Sequence, residues 1–348
     1  MKQTKTVCVI GHFGFGENLL NGQTVKTKIL YEELVRRYGE DEVEALDTHG
    51  GVKTLLRLPF TAFRALRRSR NIVMLPAHNG VRIVTPILRF WNVFFRRRLH
   101  YAVIGGWLPA MLEGRRLLRA QLKGFTGIYV ETRTMEKALL AQGFSNITVL
   151  PNCKPLEILS RDALAPTMGE PYRLVTFSRV MKQKGIEDAV LALKAVNERL
   201  GRTAYTLDIY GQVDAGEAEW FAALQAGFPS YIRYGGLVPF SESGRVLRGA
   251  FALLFPTRFY TEGIPGTIID AYAAGVPVIS SRWESFSDIV EDGVTGIGYD
   301  FMEENALQRI LSRQIDDPQY LMGMRSACLE RAERYLPENV VSLLTEKF

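Results

Sequence analysis

Two carboxylates that lie eight positions apart belong to a short segment whose residue types could hold a sugar. The segment "EGIPGTIIDAYAAGVPVISS" (262–281) begins with Glu262 and carries Asp270. Its glycines and prolines predict a loop, then a helix over about residues 266–274 that ends at Gly275, and then a buried strand. Free amides at the start of such a helix can point at a phosphate or at sugar oxygens. Because two carboxylates would repel phosphate, the pair is better suited to accept hydrogen bonds from neutral sugar or ribose hydroxyls.

Two cations stand at the start of another predicted helix. In "FSRVMKQKGIEDAV" (177–190), Arg179 follows a short apolar strand and Lys184 directly precedes Gly185 and the helix. The amides and the partial positive charge at a helix start favour anions, and two side-chain cations there suit a diphosphate. Taken alone, either cation is better explained as a solvated loop charge.

A glycine-rich loop, "GHFGFGENLLNGQTV", separates the first predicted strand from the first predicted helix. Its Gly14, Phe15 and Gly16 are similar to the start of a dinucleotide-binding fingerprint, but Leu19 stands where that fingerprint has its third glycine. The next acid at a strand end, Asp47, lies about thirty residues onward rather than about twenty. A nicotinamide site is therefore disfavoured. The loop can still bring its backbone close to a ligand, or it serves packing alone.

Predicted strands and helices alternate along the whole chain, which indicates mostly parallel sheets covered by helices. The segment 154–172 has three prolines and no clear periodicity, so we predict a linker there. We therefore expect an α/β protein with two doubly wound, Rossmann-like domains that face each other across a cleft, where ligands of open parallel sheets bind. The domains are predicted at 1–160 and 161–335, and a final helix at about 336–348 can pack back on the first.

The composition indicates a soluble globular protein of the cytosol. The 348 residues are 47% hydrophobic and 23% charged. The three cysteines stand far apart, without a Cys-x-x-Cys pair, which favours a reducing compartment. The first apolar run is too short for a signal peptide, and the longest weakly polar run, "YAVIGGWLPAML", is too short to span a membrane.

Positive charge is concentrated in the first half of the chain. Residues 1–150 hold 23 Lys and Arg against 11 Asp and Glu, a net charge of +12, whereas the whole chain carries +6. No acid occurs from residue 48 to 112, where eleven cations are mixed with aromatic residues that include Trp91, Phe94 and Phe95. Such a stretch is typical of contact with an anionic partner, and the aromatic residues favour a membrane surface. The alternatives are a solvated face or a nucleic-acid-binding surface, although no nucleic-acid motif is present.

The carboxylate segment resembles a known signature. It reads Glu262-Gly-x-Pro-Gly and then Asp270-Ala-x-Ala-x-Gly-x-Pro-Val-Ile. This is similar to the Glu-x7-Glu motif of retaining, nucleotide-sugar-dependent glycosyltransferases with the GT-B fold, which include glycogen synthase, sucrose synthase and bacterial envelope sugar transferases. Three further segments, "FSRVMKQKGIEDAV", "LDIYGQ" and "WESFSDIVEDGVTGIGY", resemble motifs of that family in the same order. The likeness covers the second half of the chain and only the glycine-rich loop of the first half.

The resemblance implies a donor site in the second domain. Its members would be Arg179 and Lys184 on the diphosphate, Glu262 on the transferred sugar, and Asp270 on the ribose hydroxyls. The chain departs from the family in having Asp270 where a second Glu is usual. The other implied donor contacts are backbone groups, which meet the base at Gly236 and Val238 and the sugar and phosphates at Gly263, Ile264, Pro265, Gly266 and Thr267.

The resemblance also implies how the reaction runs. The family transfers sugars with retention, usually without a metal, and the sequence has no Asp-x-Asp pair or His/Cys cluster that suggests one. We expect no metal and no cofactor, only a UDP-linked sugar as co-substrate. Without a metal, the charge of the leaving group falls to Arg179, Lys184 and helix amides, and front-face departure assisted by the diphosphate is favoured. The acceptor site is expected in the first domain, at Gly14, Phe15, Gly16 and His78.

The expected activity is sugar transfer from a nucleotide-sugar donor to a glycan or a lipid-linked sugar, in envelope or exopolysaccharide synthesis. The enzyme would work in the cytoplasm, bound peripherally to an anionic membrane surface, with no nucleic acid as a partner. One alternative is a non-catalytic sugar-nucleotide-binding partner of another transferase. The other is a different GT-B enzyme, such as a sugar-nucleotide epimerase.

Overall fold

The computed structural model describes residues 4–17, 22–164, 168–239 and 242–348. Leu19, which argued against a dinucleotide fingerprint, lies outside the described residues. The chain divides into two compact units. The N-terminal unit combines Met1–Pro155 with Tyr335–Phe348, and the C-terminal unit comprises Leu156–Arg334.

Six strands and the first six helices of the chain alternate in the N-terminal unit. In chain order they are β1 (Lys5–Gly11), α1 (Gly22–Tyr38), β2 (Val43–Asp47), α2 (Gly51–Arg68), β3 (Ser69–Met74), α3 (His78–Phe95), β4 (Arg98–Ala102), α4 (Leu108–Leu112), α5 (Arg116–Lys123), β5 (Gly127–Val130), α6 (Arg133–Ala141) and β6 (Ile147–Val149).

The same alternation builds the C-terminal unit, and one last helix then returns to the N-terminal unit. The elements are β7 (Tyr172–Phe177), α7 (Ile186–Leu200), β8 (Tyr205–Tyr210), α8 (Ala218–Ala226), β9 (Ile232–Gly236), α9 (Ser243–Leu247), β10 (Ala252–Phe255), α10 (Gly266–Ala273), β11 (Val278–Ser281), α11 (Phe286–Ile289), β12 (Gly296–Tyr299), α12 (Ala306–Asp316), α13 (Pro318–Met322), α14 (Arg325–Ala332) and α15 (Pro337–Thr345).

Each unit contains one six-stranded sheet whose neighbouring strands are all parallel. The strand order is β2-β1-β3-β4-β5-β6 in the N-terminal unit and β12-β11-β10-β7-β8-β9 in the C-terminal unit. The direction of winding therefore reverses between β1 and β3, and again between β7 and β10. In open parallel sheets, ligands bind beyond the carboxyl ends of the strands at such switch points.

Inner strands of both sheets are apolar and buried along most of their length. In β1, for example, Val7, Cys8, Val9 and Ile10 are all fully buried, as expected for a central parallel strand. Among the described residues, no helix is long and apolar enough to cross a membrane.

The unit boundary lies a few residues before the predicted position at residue 160. The backbone amide of Leu159 donates to the carbonyl of Ala273 at 2.8 Å, and Glu157 pairs with Arg248 at 3.2 Å. The stretch that follows residue 155 is thus held by the C-terminal unit.

The final helix is held by aromatic and apolar contacts within the N-terminal unit. Val340, Val341 and Leu344 are buried beside α1, and the ring of Phe348 lies 5.1 Å from that of His100. The unit therefore depends on residues from both ends of the sequence.

Candidate donor and acceptor sites

Two loops meet at the switch point of the C-terminal sheet, one after β7 and one after β10. The amide of Arg258 donates to the carbonyl of Gln183 at 2.8 Å, which joins the loops. Gly185 allows the close approach, since its φ is 66° and a Cβ there would lie 1.8 Å from the carbonyl oxygen of Pro256. The glycine before α7 is therefore a requirement of the loop contact as well as of the helix start.

Lys184 and Glu262 form an ion pair between these two loops. Their side chains are 20% and 13% exposed, so both charges are largely removed from bulk water. The ammonium also lies 5.7 Å from the ring centre of Phe255, and the hydroxyl of Thr257 lies 3.4 Å from a Glu262 oxygen. The structure thus brings together two predicted site residues that stand far apart in the sequence.

Arg179 pairs with a different carboxylate. Its Nη1 lies 3.5 Å from Oδ2 of Asp214, in the loop after β8, and its side chain is 56% exposed. Backbone hydrogen bonds align the two loops, with Val180 donating to Gln212 at 2.9 Å and Asp214 donating to Val180 at 3.0 Å. The two predicted diphosphate ligands therefore follow the same strand but have separate acidic partners.

The predicted amide site lies at the start of α10. Pro265 precedes the helix in an extended conformation, Gly266 is its first residue, and Gly263 stands in the half-buried loop before them. Ile264 is buried. Thr267 has a buried hydroxyl oxygen for which the described part of the chain supplies no hydrogen-bond partner. An unsatisfied buried hydroxyl is costly, so this oxygen is available to a ligand group.

Asp270 differs from Glu262 in its surroundings. It lies within α10 and is only 4% exposed, whereas Glu262 lies in the loop before the helix. The contact of Asp270 with ribose hydroxyls stays a prediction.

The predicted base site lies at the end of β9. Gly236 adopts a left-handed φ of 77°, and its carbonyl accepts from the amide of Gly211 at 2.9 Å. Val238 is half-buried two residues later. Since β7, β8 and β9 are parallel neighbours, these groups lie at the same sheet edge as the loops after β7 and β8.

In the N-terminal unit, Asp47 organises the glycine-rich loop. Its carboxylate accepts hydrogen bonds from the amides of Phe13 at 2.9 Å, His49 at 2.8 Å and Phe15 at 3.2 Å. Partial burial disfavours the charged carboxylate, but the amide donors outweigh it and hold the pKa of Asp47 below its usual value. Asp47 therefore has a structural role in this loop, because its carboxylate holds the amides of three loop residues.

The predicted acceptor residues of that loop have distinct environments. Gly14 and Gly16 take left-handed φ values of 57° and 87°. Phe15 between them is 60% exposed and stacks on the buried ring of Phe13 at 4.8 Å. The loop therefore presents an aromatic face to solvent.

A chain of hydrogen-bonded side chains runs beneath this loop. His12 Nδ1 lies 2.9 Å from the hydroxyl of Thr24, its Nε2 lies 2.9 Å from Nδ1 of His49, and Nε2 of His49 lies 3.1 Å from Glu17. A carboxylate only accepts, so the neutral chain is satisfied when His49 donates to Glu17, His12 to His49 and Thr24 to His12. Neither histidine was predicted as a site residue from the sequence, although both follow strand ends, and that position was the available signal.

His78 begins α3 and lines a cavity of about 400 Å³ at the switch point of the N-terminal sheet. Its ring lies 5.2 Å from that of Trp107. The other residues that line the cavity include His12, Gln23, Thr48, Thr54, Leu58, Asn79 and Ile83.

The C-terminal unit has a larger cavity of about 790 Å³ between α7 and the start of α12. Thr257 lines it, and so do Asp188 and Arg258, which form an ion pair with Nε and Oδ2 2.8 Å apart. The sequence analysis predicted no ligand site there. Within the described ranges, no group of three or more His, Cys, Asp or Glu side chains is arranged to hold a metal ion.

Several residues that contact the predicted donor-site residues were not themselves predicted from the sequence. Asp214, Thr257, Phe255 and Phe259 contact the predicted cations or Glu262. Asp214 follows β8 and Thr257 follows β10, so their places after strand ends were the signals that could have identified them.

Comparison with known proteins connects the C-terminal unit to an enzyme family. Residues 171–317 match the family model described as glycosyl transferases group 1. The amylovoran biosynthesis glycosyltransferase AmsK of Erwinia amylovora is 30% identical over 158 residues, which are 44% of this chain and 37% of that protein. This chain thus spans well under half the length of the curated relatives it matches.

Two solved structures are similar over almost the whole chain. HepE of Anabaena in complex with UDP and glucose aligns with a TM-score of 0.72 at 15% identity. The sucrose-phosphate synthase of Thermosynechococcus elongatus aligns with a TM-score of 0.77 at 16% identity. Each alignment covers 98% of both chains. The α/β fold with two units is therefore the GT-B fold.

Proposed function

We propose that the protein is a retaining glycosyltransferase that moves a sugar from a UDP-linked donor to a glycan or a lipid-linked sugar in envelope or exopolysaccharide synthesis. The observation that carries the proposal is the largely buried Lys184–Glu262 pair, held between two touching loops at the switch point of the sheet. These loops lie inside the region that matches the glycosyltransferase family. The similar protein HepE was solved with UDP and glucose, which supports a uridine nucleotide here.

In the proposed donor complex, each polar group has a separate task. Arg179 and Lys184 neutralise the diphosphate, and the amides at the start of α10, with the unsatisfied hydroxyl of Thr267, bind sugar or phosphate oxygens. Glu262 contacts the transferred sugar, and Asp270 binds the ribose. The end of β9 at Gly236 and Val238 receives the base.

The proposed chemistry is front-face departure of the nucleoside diphosphate. As the bond to the anomeric carbon breaks, negative charge grows on the diphosphate, where the cations and the helix amides stabilise it. Donor binding draws Lys184 toward the phosphates while Glu262, partly relieved of its partner, accepts hydrogen bonds from the sugar. No metal ion takes part in this proposal.

The proposal places the acceptor-binding site and the membrane-binding surface in the N-terminal unit. We assign the acceptor to the glycine-rich loop and to the cavity beside His78. The excess of cations in the same unit supports peripheral binding to the anionic cytoplasmic face of a membrane.

The first test compares the two carboxylates. Glu262→Gln keeps the shape of the side chain but removes its charge, so sugar transfer should fall by about a hundredfold or more, as for other groups that act on developing charge. Asp270→Asn should mainly weaken binding of the nucleotide. A screen of sugar nucleotides, which follows nucleotide release, first identifies the donor. Sugar transfer and donor affinity are then measured for each variant. A parallel series of transfer assays contains a chelator.

Equal and mild effects at both positions would show that the pair is structural. A sharp loss of wild-type turnover in the chelator series would contradict the metal-independent mechanism.

A further inference from the structure

Six large apolar side chains of the N-terminal unit are exposed on three packed helices. They lie in α2, α3 and α5, where α3 packs against both other helices. Their exposed fractions range from 62% to 78%. We call this set the docking surface; it consists of Leu56, Phe60, Phe90, Val93, Phe94 and Leu117.

The side chains of the docking surface are aligned rather than scattered. Leu56 and Phe60 are four residues apart in α2, and Phe90 and Phe94 are four residues apart in α3, so each pair lies on one face of its helix.

Aromatic contacts join the two helix faces. The ring of Phe63 in α2 lies 5.0 Å from that of Trp91 in α3, which lies 5.0 Å from the ring of Phe90. Isolated exposed apolar residues are ordinary, but a connected group of this kind marks an interaction site.

Cations accompany the apolar residues on the same helix face. Arg57, Arg64 and Arg67 are exposed in α2 and stand three, four and seven positions from Phe60. Arg97 is not counted with these exposed arginines, because its Nε donates a hydrogen bond to the carbonyl of Leu66 at 3.0 Å. The stretch 48–112 supplies no acid to neutralise these arginines.

We infer that the docking surface lies on an anionic lipid leaflet. Its apolar side chains enter the boundary between headgroups and acyl chains, and its arginines contact the anionic headgroups. A second copy of this chain is a poor occupant, since two such faces would bring like charges together. The inference deepens the proposed membrane location and rests on it.

Two helices that carry the docking surface, α2 and α3, also line the cavity of the N-terminal unit. Ile83 of α3 lines that cavity and is itself 37% exposed, and Leu58 of α2 lines it from the neighbouring helix. A lipid-linked acceptor would therefore have its sugar in the cavity and its apolar chain along the helices that contact the leaflet.

The test is co-sedimentation of the full chain with vesicles of phosphatidylglycerol and phosphatidylcholine. The wild-type protein should bind at low salt and dissociate as salt rises. The double variant Phe60→Ser/Phe94→Ser should bind at least about tenfold more weakly, because two apolar side chains no longer leave water. The matched control is Leu140→Ser/Leu191→Ser, which changes two exposed leucines of other helices, α6 and α7, and should bind like the wild type.

A charge variant completes the experiment. Arg57→Gln/Arg64→Gln/Arg67→Gln should bind anionic vesicles more weakly and with a smaller salt dependence. Donor binding in solution should be unchanged in the phenylalanine and arginine variants, since the substituted residues lie in the other unit from the proposed donor site.

The outcomes separate the two proposals. If the wild type stays in the supernatant, the membrane location and the docking surface are both wrong. If the wild type binds but the phenylalanine variant binds equally well, the location stands and the assigned surface is wrong. A change of oligomeric state without a change in vesicle binding would assign the surface to a protein partner and overturn the inference. If the wild-type protein does not bind a sugar-nucleotide donor in solution, the proposed transferase activity is contradicted instead.

Discussion

Lys184 and Glu262 combine a structural contact with a proposed catalytic role. Each is the charged partner of the other in a place with little water, so removal of one leaves the other without its counterion. Arg179 and Asp214 are more exposed, and water can replace either partner. The two proposed diphosphate ligands should therefore respond differently to mutation.

Alanine variants of the two cations test this difference. Each substitution removes charge-assisted hydrogen bonds to the donor that are worth about 1.5–3 kcal/mol, so kcat/KM should fall about tenfold or more in both. Only Lys184→Ala should also lower the melting temperature, because it leaves Glu262 unpaired. Steady-state kinetics measure kcat/KM, and calorimetric titration with the nucleotide measures donor affinity. Thermal unfolding measures the melting temperature.

The double variant Lys184→Met/Glu262→Gln is the control, since it removes both charges. It should regain stability relative to Lys184→Ala but not activity. Full activity and full donor affinity in both single alanine variants would refute the assignment of Arg179 and Lys184 to the diphosphate.

At the scale of elements, the proposed donor site depends on how closely the loops after β7 and β10 approach each other. Their parent strands are neighbours, with Leu174 beside Ala252, although many residues separate them in sequence. The contact is tightest at Gly185, where no other residue has room for its Cβ.

We expect Gly185→Ala to damage both the fold and donor binding. The new methyl group would overlap the carbonyl of Pro256, so the loops must separate and Lys184 must move away from Glu262. Gly201→Ala is the matched control, because Gly201 has a similar left-handed φ of 64° at the other end of α7 but no atom near the added Cβ.

The control should lose about 1 kcal/mol of unfolding free energy, the cost of a left-handed non-glycine residue. The Gly185 variant should lose more than that and should also bind the donor more weakly. Chemical denaturation and donor titration measure both effects, and equal losses of stability in the two variants would show that the loop contact does not matter.

The sequence predicted some of these elements well and others poorly, for physical reasons. Central parallel strands such as β1 are short apolar runs bounded by turns, so their pattern is evident. Helices α2 and α3 expose Phe60 and Phe94, so their apolar residues are not confined to the buried face by which a soluble helix is recognised in sequence.

The site residues divide in the same way. Arg179, Lys184 and Glu262 follow or precede recognisable elements, so the sequence could suggest them as site residues, and their roles stay predictions. Their partners Asp214 and Thr257 depend on strand order, which periodicity does not encode. Periodicity also could not predict that Glu262 pairs with Lys184 and not with Arg179.

At the scale of the whole molecule, the N-terminal unit is built from two separate parts of the chain. The second part, Tyr335–Phe348, contributes buried residues of α15 to the same apolar cluster as Cys153. Burial raises the pKa of Cys153 to about 12, and it does the same for Cys328 in the C-terminal unit. Neither thiol should react at neutral pH while its own unit is folded.

Because Cys153 lies in the N-terminal unit and Cys328 in the C-terminal unit, the reactivity of each thiol reports whether its own unit is folded. Removal of residues 335–348 should expose Cys153 to a thiol reagent at about pH 8 and leave Cys328 protected. Mass spectrometry of the labelled protein identifies the modified cysteine, and donor binding by the C-terminal unit is measured in parallel. Protection of Cys153 in the shortened chain would show that α15 is dispensable to the N-terminal unit.

The return of the chain at residue 335 also makes the C-terminal unit an insertion. The amide of Lys154 donates to the carbonyl of Tyr335 at 3.0 Å, so the points where the chain leaves and rejoins the N-terminal unit are hydrogen-bonded neighbours. Domains whose ends lie close together tolerate being inserted into, or removed from, a host. Residues 156–334 can therefore be regarded as a replaceable module, and a short bridge from 155 to 335 would leave the N-terminal host complete.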